Sequence, residues 1–100
     1  MSELLVIARL RIGAGHHETV AIAARELIAA AREEPGVIFF AGYRNVTDPG
    51  ELTLVERYSS AEAFEAHLAS PHYHRIAVGT ILPHLESRTI EQFEPLPDLT

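Results

Sequence analysis

LTLVERYSSAEAFEAHLASPHY, residues Leu52 to Tyr73, is the stretch whose reading decides the fold. Its first seven residues, Leu52 to Tyr58, are rich in apolar, β-branched and aromatic side chains and predict a strand. Ser59, with Glu62 three residues later, has the spacing of a capping box that opens a short helix through Leu68. Ser70-Pro71 is a second helix start, with serine at the cap and proline in the first turn. Its continuation toward Leu82 shows no clean amphipathic face, and Pro83 ends it.

Working outward, Val37 to Val46 (VIFFAGYRNV) is a strand that is apolar on both faces over its first half. Asp48-Pro49-Gly50 has turn chemistry and joins it to the Leu52–Tyr58 strand as a hairpin. Upstream, from His16 to about Glu33, the period becomes helical. Val20, Ala23, Ala24, Leu27, Ile28 and Ala31 fall on one side; Glu18, Arg25, Arg32 and Glu33 fall on the other. Pro35-Gly36 stops that helix. Leu4 to Ile12 reads as the first strand and Leu85 to Phe93 as the last. The chain is expected to be one domain over residues 1–100, with a core of about 4–95 and a tail at 96–100. Strand, helix, strand, strand, helix, strand is the split βαβ order. It predicts an α+β, ferredoxin-like βαββαβ fold: a four-stranded antiparallel sheet, first and third strands central, helices on one face. Apolar residues on both strand faces predict a homodimer through the open sheet face.

Composition narrows the function. The formal net charge is −6 and there is no basic stripe, which argues against nucleic acid as a partner. No uninterrupted apolar run approaches the ~20 residues that span a bilayer. The chain has no cysteine, and its first residues lack a signal-peptide pattern, so the expected setting is cytoplasmic. Gly13-Ala14-Gly15 resembles the start of a dinucleotide fingerprint, but Glu18 stands where the third glycine belongs. Six histidines raise the question of a metal. His72 and His74 are two apart, which is not a helical chelating spacing, and no recognised ligand motif occurs, so no metal site is assigned.

Glu56 and Tyr58, two apart on a strand, share one face. His67 sits beside the apolar side of the following helix, marked by Phe64 and Leu68. An acid, a phenol and an imidazole can therefore converge between helix and sheet, with Arg9 on the neighbouring central strand as counter-ion. The structural alternative stays open. Glu56 can bridge to Arg57, Arg44 or Arg9, Tyr58 can be a core aromatic, and His67 a satisfied buried histidine.

EPGVIFFAGYRN (Glu34 to Asn45), the Asp48-Pro49 turn and LTLVERYSSAEAFEAHLASPHY together resemble the antibiotic biosynthesis monooxygenase domain family. The features shared are P-G before the second strand, V-E-x-aromatic ending the third, then S-x-x-A-hydrophobic-x-x-H-L and S-x-H-hydrophobic. The resemblance runs from about Leu4 to Pro95. It implies a dimeric α+β barrel and, since members of the family include such enzymes, cofactor-independent oxidation of a polycyclic phenol or quinol. By position, it implies catalytic roles for His67, Glu56 and Tyr58: His67 as base or proton shuttle, Glu56 as its orienter, Tyr58 as a hydrogen-bonding wall. His72, Tyr73, Arg9 and Phe64 are the expected substrate-binding residues, and no cofactor is expected. Tyr58 stands where many members have tryptophan, and the first strand offers no asparagine, which counts against haem degradation. The alternatives are a non-catalytic ligand-binding or structural dimer, and an isomerase or lyase using the same pocket.

Overall fold

In the computed structural model, which describes residues 2–98, β1 (Leu4–Ile12) leads into α1 (His17–Ala31). The β2–β3 hairpin follows (Val37–Asn45 and Asp48–Tyr58), then α2 (Ala61–Ala69). A π-helix (Tyr73–Ile81) and a short 3₁₀ turn (Leu82–His84) precede β4 (Leu85–Phe93). The strand order is β2-β3-β1-β4, fully antiparallel, with the first and third strands central as expected. Residues 99 and 100 of the expected tail lie outside the described residues.

Register sets which face each side chain takes. Val6 lies opposite Glu56, Ala8 opposite Leu54 and Leu10 opposite Leu52, so even-numbered residues of β1 and β3 face the helices. Val6, Ala8, Leu10, Leu54, Tyr58 and Phe40 from the sheet meet Val20, Ala23, Ala24, Leu27 and Ala31 from α1. Ile76, Ala77 and Ile81 from the π-helix complete the core. Each fully buried large side chain contributes about 1.5–3 kcal/mol. The alanines let α1 lie close to the sheet.

Four expectations are corrected. The sheet is open rather than a barrel: it ends at β2 and β4 and is neither closed nor strongly curled. Four strands are too few to close; eight give an interior just wide enough for side chains to fill. The hairpin turn is Val46-Thr47, not Asp48-Pro49-Gly50. Asn45 Oδ1 accepts from the Thr47 amide at 2.9 Å, an Asx turn needing no glycine. Asp48 to Gly50 enter β3 at a register shift, where a strand tolerates proline. The cap of α2 is Ser60, whose Oγ accepts from the Ala63 amide at 3.1 Å, so Ser59 and Glu62 form no capping box. Finally, the segment after Ser70-Pro71, expected as a second helix with no clean amphipathic face, is a π-helix from Tyr73 to Ile81. With hydrogen bonds to the fifth residue, Ile76 and Ile81 share its buried side, a spacing that a 3.6-residue period does not register.

The other sheet face carries Leu5, Ile7, Val55, Phe39, Tyr43 and Phe93 among charged residues. Phe39 and Tyr43 of β2 and Phe93 of β4 are 39%, 53% and 41% exposed, so both edge strands carry large apolar groups in water.

Candidate functional site

Between the sheet and the later helices lies a cavity of about 50 Å³. Phe40, Leu54 and Glu56 wall it on the sheet side, and Phe64, His67 and Tyr73 on the helix side; Arg88 of β4 also lines it. That volume holds a few waters. It is well short of the roughly 300–1,000 Å³ of a pocket that encloses a drug-sized ligand.

Glu56 is buried because its register partner is Val6, deep under α1 and α2. Burial pushes its carboxyl up to about 7, opposed by the hydrogen bond from Tyr58 and reinforced by the charge of Glu34. Tyr58 donates its hydroxyl to Glu56 Oε1 at 2.5 Å. Burial first, and then the neighbouring Glu56 carboxylate, push the phenol far above its ordinary value. It is a donor and not a proton source. The two residues form one polar unit inside an apolar shell.

His67 is the one fully buried residue of α2. Ser60 fixes the start of its helix, and Ser70 fixes the end by donating to the His67 carbonyl at 2.7 Å. Phe40, Tyr58 and Tyr73 hold its ring at centroid distances of 5.3, 5.7 and 5.3 Å. Its polar partner is not Glu56 but Glu34, whose Oε2 lies 2.8 Å from Nδ1 of His67 and 2.6 Å from Nε2 of His72. A carboxylate can only accept, so both ring nitrogens donate to it. The Nδ1–H tautomer of a neutral His67 then keeps the lone pair on Nε2.

Glu34 is aimed by its backbone. Its amide donates to Ala31 O at 3.0 Å, its carbonyl accepts from Val37 N at 3.1 Å, and Gly36 O accepts from Ser59 N at 2.9 Å. A Cβ on Gly36 would stand 2.4 Å from the Ala63 Cβ, so the turn carrying Glu34 rests directly on α2. Glu34, His67 and His72 also form the one group of three His, Asp or Glu residues among the described residues whose donor atoms could jointly hold a metal ion.

The structure brings together five of the expected residues, Glu56, Tyr58, Phe64, His67 and Tyr73, and places His72 one carboxylate away. Arg9 is not among them. It is odd-numbered on β1, points to the open face and pairs with Glu91. The cation at the cavity is Arg88, which makes no ion pair among the described residues. Sequence reasoning missed Glu34 and Arg88. An acid in the turn that ends a helix, where the dipole disfavours negative charge, is the signal that could have found Glu34. Nothing local marks Arg88.

No helix of the described residues is long and apolar enough to cross a membrane. Among curated proteins no relative matches the chain. Solved structures do. Rv0793 of Mycobacterium tuberculosis is 27% identical, with 99% of this chain and 100% of that one covered and a TM-score of 0.89. The Pseudomonas aeruginosa protein PA3566 is 25% identical over 96% of both chains, with a TM-score of 0.88. A structure described as an antibiotic biosynthesis monooxygenase is 26% identical, covering 94% of this chain and 99% of its own, with a TM-score of 0.88. The family model described as antibiotic biosynthesis monooxygenase matches residues 4–78, three quarters of the sequence, and the chain belongs to that family.

Proposed function

We propose that this protein is a cofactor-independent monooxygenase that oxidises an aromatic or polycyclic phenol, or a quinol, with O₂. The observation that carries this is the Glu34–His67 pair at the wall of an apolar cavity that also holds Glu56. Glu34 fixes the tautomer and orientation of the imidazole, and Nε2 takes the proton from the substrate. The resulting anion passes one electron to O₂. Superoxide and the substrate radical then join through a new C–O bond, giving a hydroperoxide. Loss of water leaves the quinone, so one oxygen atom enters product, the other leaves as water, and no outside reductant is needed. Arg88 balances the anion. His67 returns its proton to the peroxide anion, and Glu56, its carboxyl at about 7, carries the proton of the oxygenated carbon to the departing hydroxide as the O–O bond breaks, while Tyr58 holds Glu56 in place. A ring system exceeds about 50 Å³, so Tyr73 and Phe64 swing outward as substrate binds. The setting is a reducing compartment, in keeping with the absence of cysteine.

Oxygen uptake on adding anthrone- or quinol-type compounds, in chelator-treated buffer, tests the activity. His67→Ala should lower turnover by about 10²–10⁴-fold. Unchanged turnover in that variant removes the assigned base. The narrow cavity favours a second possibility, a non-catalytic small-ligand-binding or structural dimer; saturable ligand binding with no oxygen uptake would establish it.

Two copies pair through the open sheet face, which the exposed Phe39, Tyr43 and Phe93 support. Sedimentation showing only 11.0 kDa particles would remove that pairing.

A further inference from the structure

Three segments converge on one point: the turn after α1 brings Glu34, α2 brings His67, and the residue before the π-helix brings His72. Their donor atoms, Oε2, Nδ1 and Nε2, all lie within 4.8 Å of one another. No arginine pairs with Glu34 among the described residues; its two short contacts are both to imidazole nitrogens. One carboxylate with two imidazoles is a donor set for borderline divalent cations. Calcium and magnesium want a cage of oxygens, which is not present here. Zinc–nitrogen and zinc–oxygen bonds of about 2.0–2.1 Å put tetrahedral donors about 3.3 Å apart. The present 2.8 and 2.6 Å separations to Glu34 thus widen by about 0.5–0.7 Å, and the two imidazole nitrogens, within 4.8 Å of each other, settle at the same spacing by adjustment of His72. His67 need not move, because Phe40, Tyr58 and Tyr73 clamp its ring.

We propose that Glu34, His67 and His72 form a three-ligand site for a zinc-class divalent cation, with water in the fourth position. Binding itself does not depend on the proposed oxygenation. If that activity holds, a cation on Nδ1 sends the ring proton to Nε2 and silences the base, so zinc is an inhibitor. This consequence, and not the site, rests on the activity.

Titration calorimetry of the chelator-treated full chain with Zn²⁺ tests the site, with the visible absorption of four-coordinate Co²⁺ as a second readout. One cation per chain is expected. His72→Ala and Glu34→Gln should each weaken binding by at least about tenfold. His74→Ala, on an exposed neighbour outside the cluster, should leave binding unchanged. Circular dichroism confirms that each variant is folded; should Glu34→Gln unfold, the partly buried His72 decides alone. Absence of binding overturns the proposal. So does binding that survives His72→Ala and is lost in His16→Ala, since the His16 and His84 rings, 4.3 Å apart, would then be the holders.

Discussion

Replacing Glu56 by glutamine should stabilise the fold above neutral pH and do little below pH 4.5. The carboxyl has an ordinary value of 4.5 and stands at about 7 in the folded chain, chiefly because burial disfavours its charge. Between those two values the unfolded chain releases a proton that the folded chain keeps. The folded state therefore binds more protons, and stability falls as pH rises. The stabilising contribution of the neutral acid is fully present below 4.5 and is gone once pH passes about 7. At about 1.4 kcal/mol for each pH unit, the loss is on the order of 3 kcal/mol. That is a large part of the roughly 5–15 kcal/mol available to a domain of this size. Glutamine keeps an oxygen for the Tyr58 hydroxyl and never ionises. Urea unfolding of both proteins from pH 4 to pH 8.5, with ΔG plotted against pH, should give curves that meet at the acid end. They should diverge by about 3 kcal/mol at the alkaline end, or roughly 12–24 °C in Tm. Parallel curves would show that Glu56 ionises as it does in water, and the buried acid would lose its place in the proposed chemistry.

Tyr58→Phe removes the one side-chain hydrogen-bond partner of Glu56 among the described residues and should cost about 1–3 kcal/mol in denaturant unfolding, more at pH 8 than at pH 5. Gly36→Ala drives a methyl into Ala63 and should cost about 1–3 kcal/mol; histidine NMR shifts should show His67 separating from Glu34. Arg88→Ala should raise KM for an acidic phenol and leave stability within about 0.5 kcal/mol, whereas Arg9→Ala should alter neither kinetic constant. Equal effects of the two arginine variants would contradict the sidedness of β1.

What was legible in the sequence depended on periodic burial. The core face of α1 follows from its spacing, and five of its six apolar residues are buried, with Ile28 partly so. The strand order followed from connection rules. Side-chain parity was legible too, yet Arg9 was set against Glu56 although the observed register pairs Glu56 with Val6 and sends Arg9 to the far face. Ser59 and Ser60 are chemically equivalent, and only the helix geometry chooses Ser60. The site divided in the same way. Glu56, Tyr58 and His67 lie close together in the chain and could be read as a group. Glu34 lies 33 residues from His67 and 38 from His72, and no local pattern states that contact. Asp48 showed its turn chemistry plainly, but Asn45 captured Thr47 first and moved the reversal two residues upstream.

The π-helix has a consequence for chain length. Each of its turns holds about one residue more than an α-turn would, and the stretch runs for nine residues between His72 and Leu82. Removing the exposed Gly79 would let the segment relax toward an ordinary α-helix without emptying the core. The rotation would fall on the ends, turning His72 and Tyr73 about the helix axis relative to Ile81. Residue number in this segment thus acts as an angular setting: one residue more or fewer re-aims Tyr73 at the cavity and His72 at Glu34 while the sheet and α1 stay as they are.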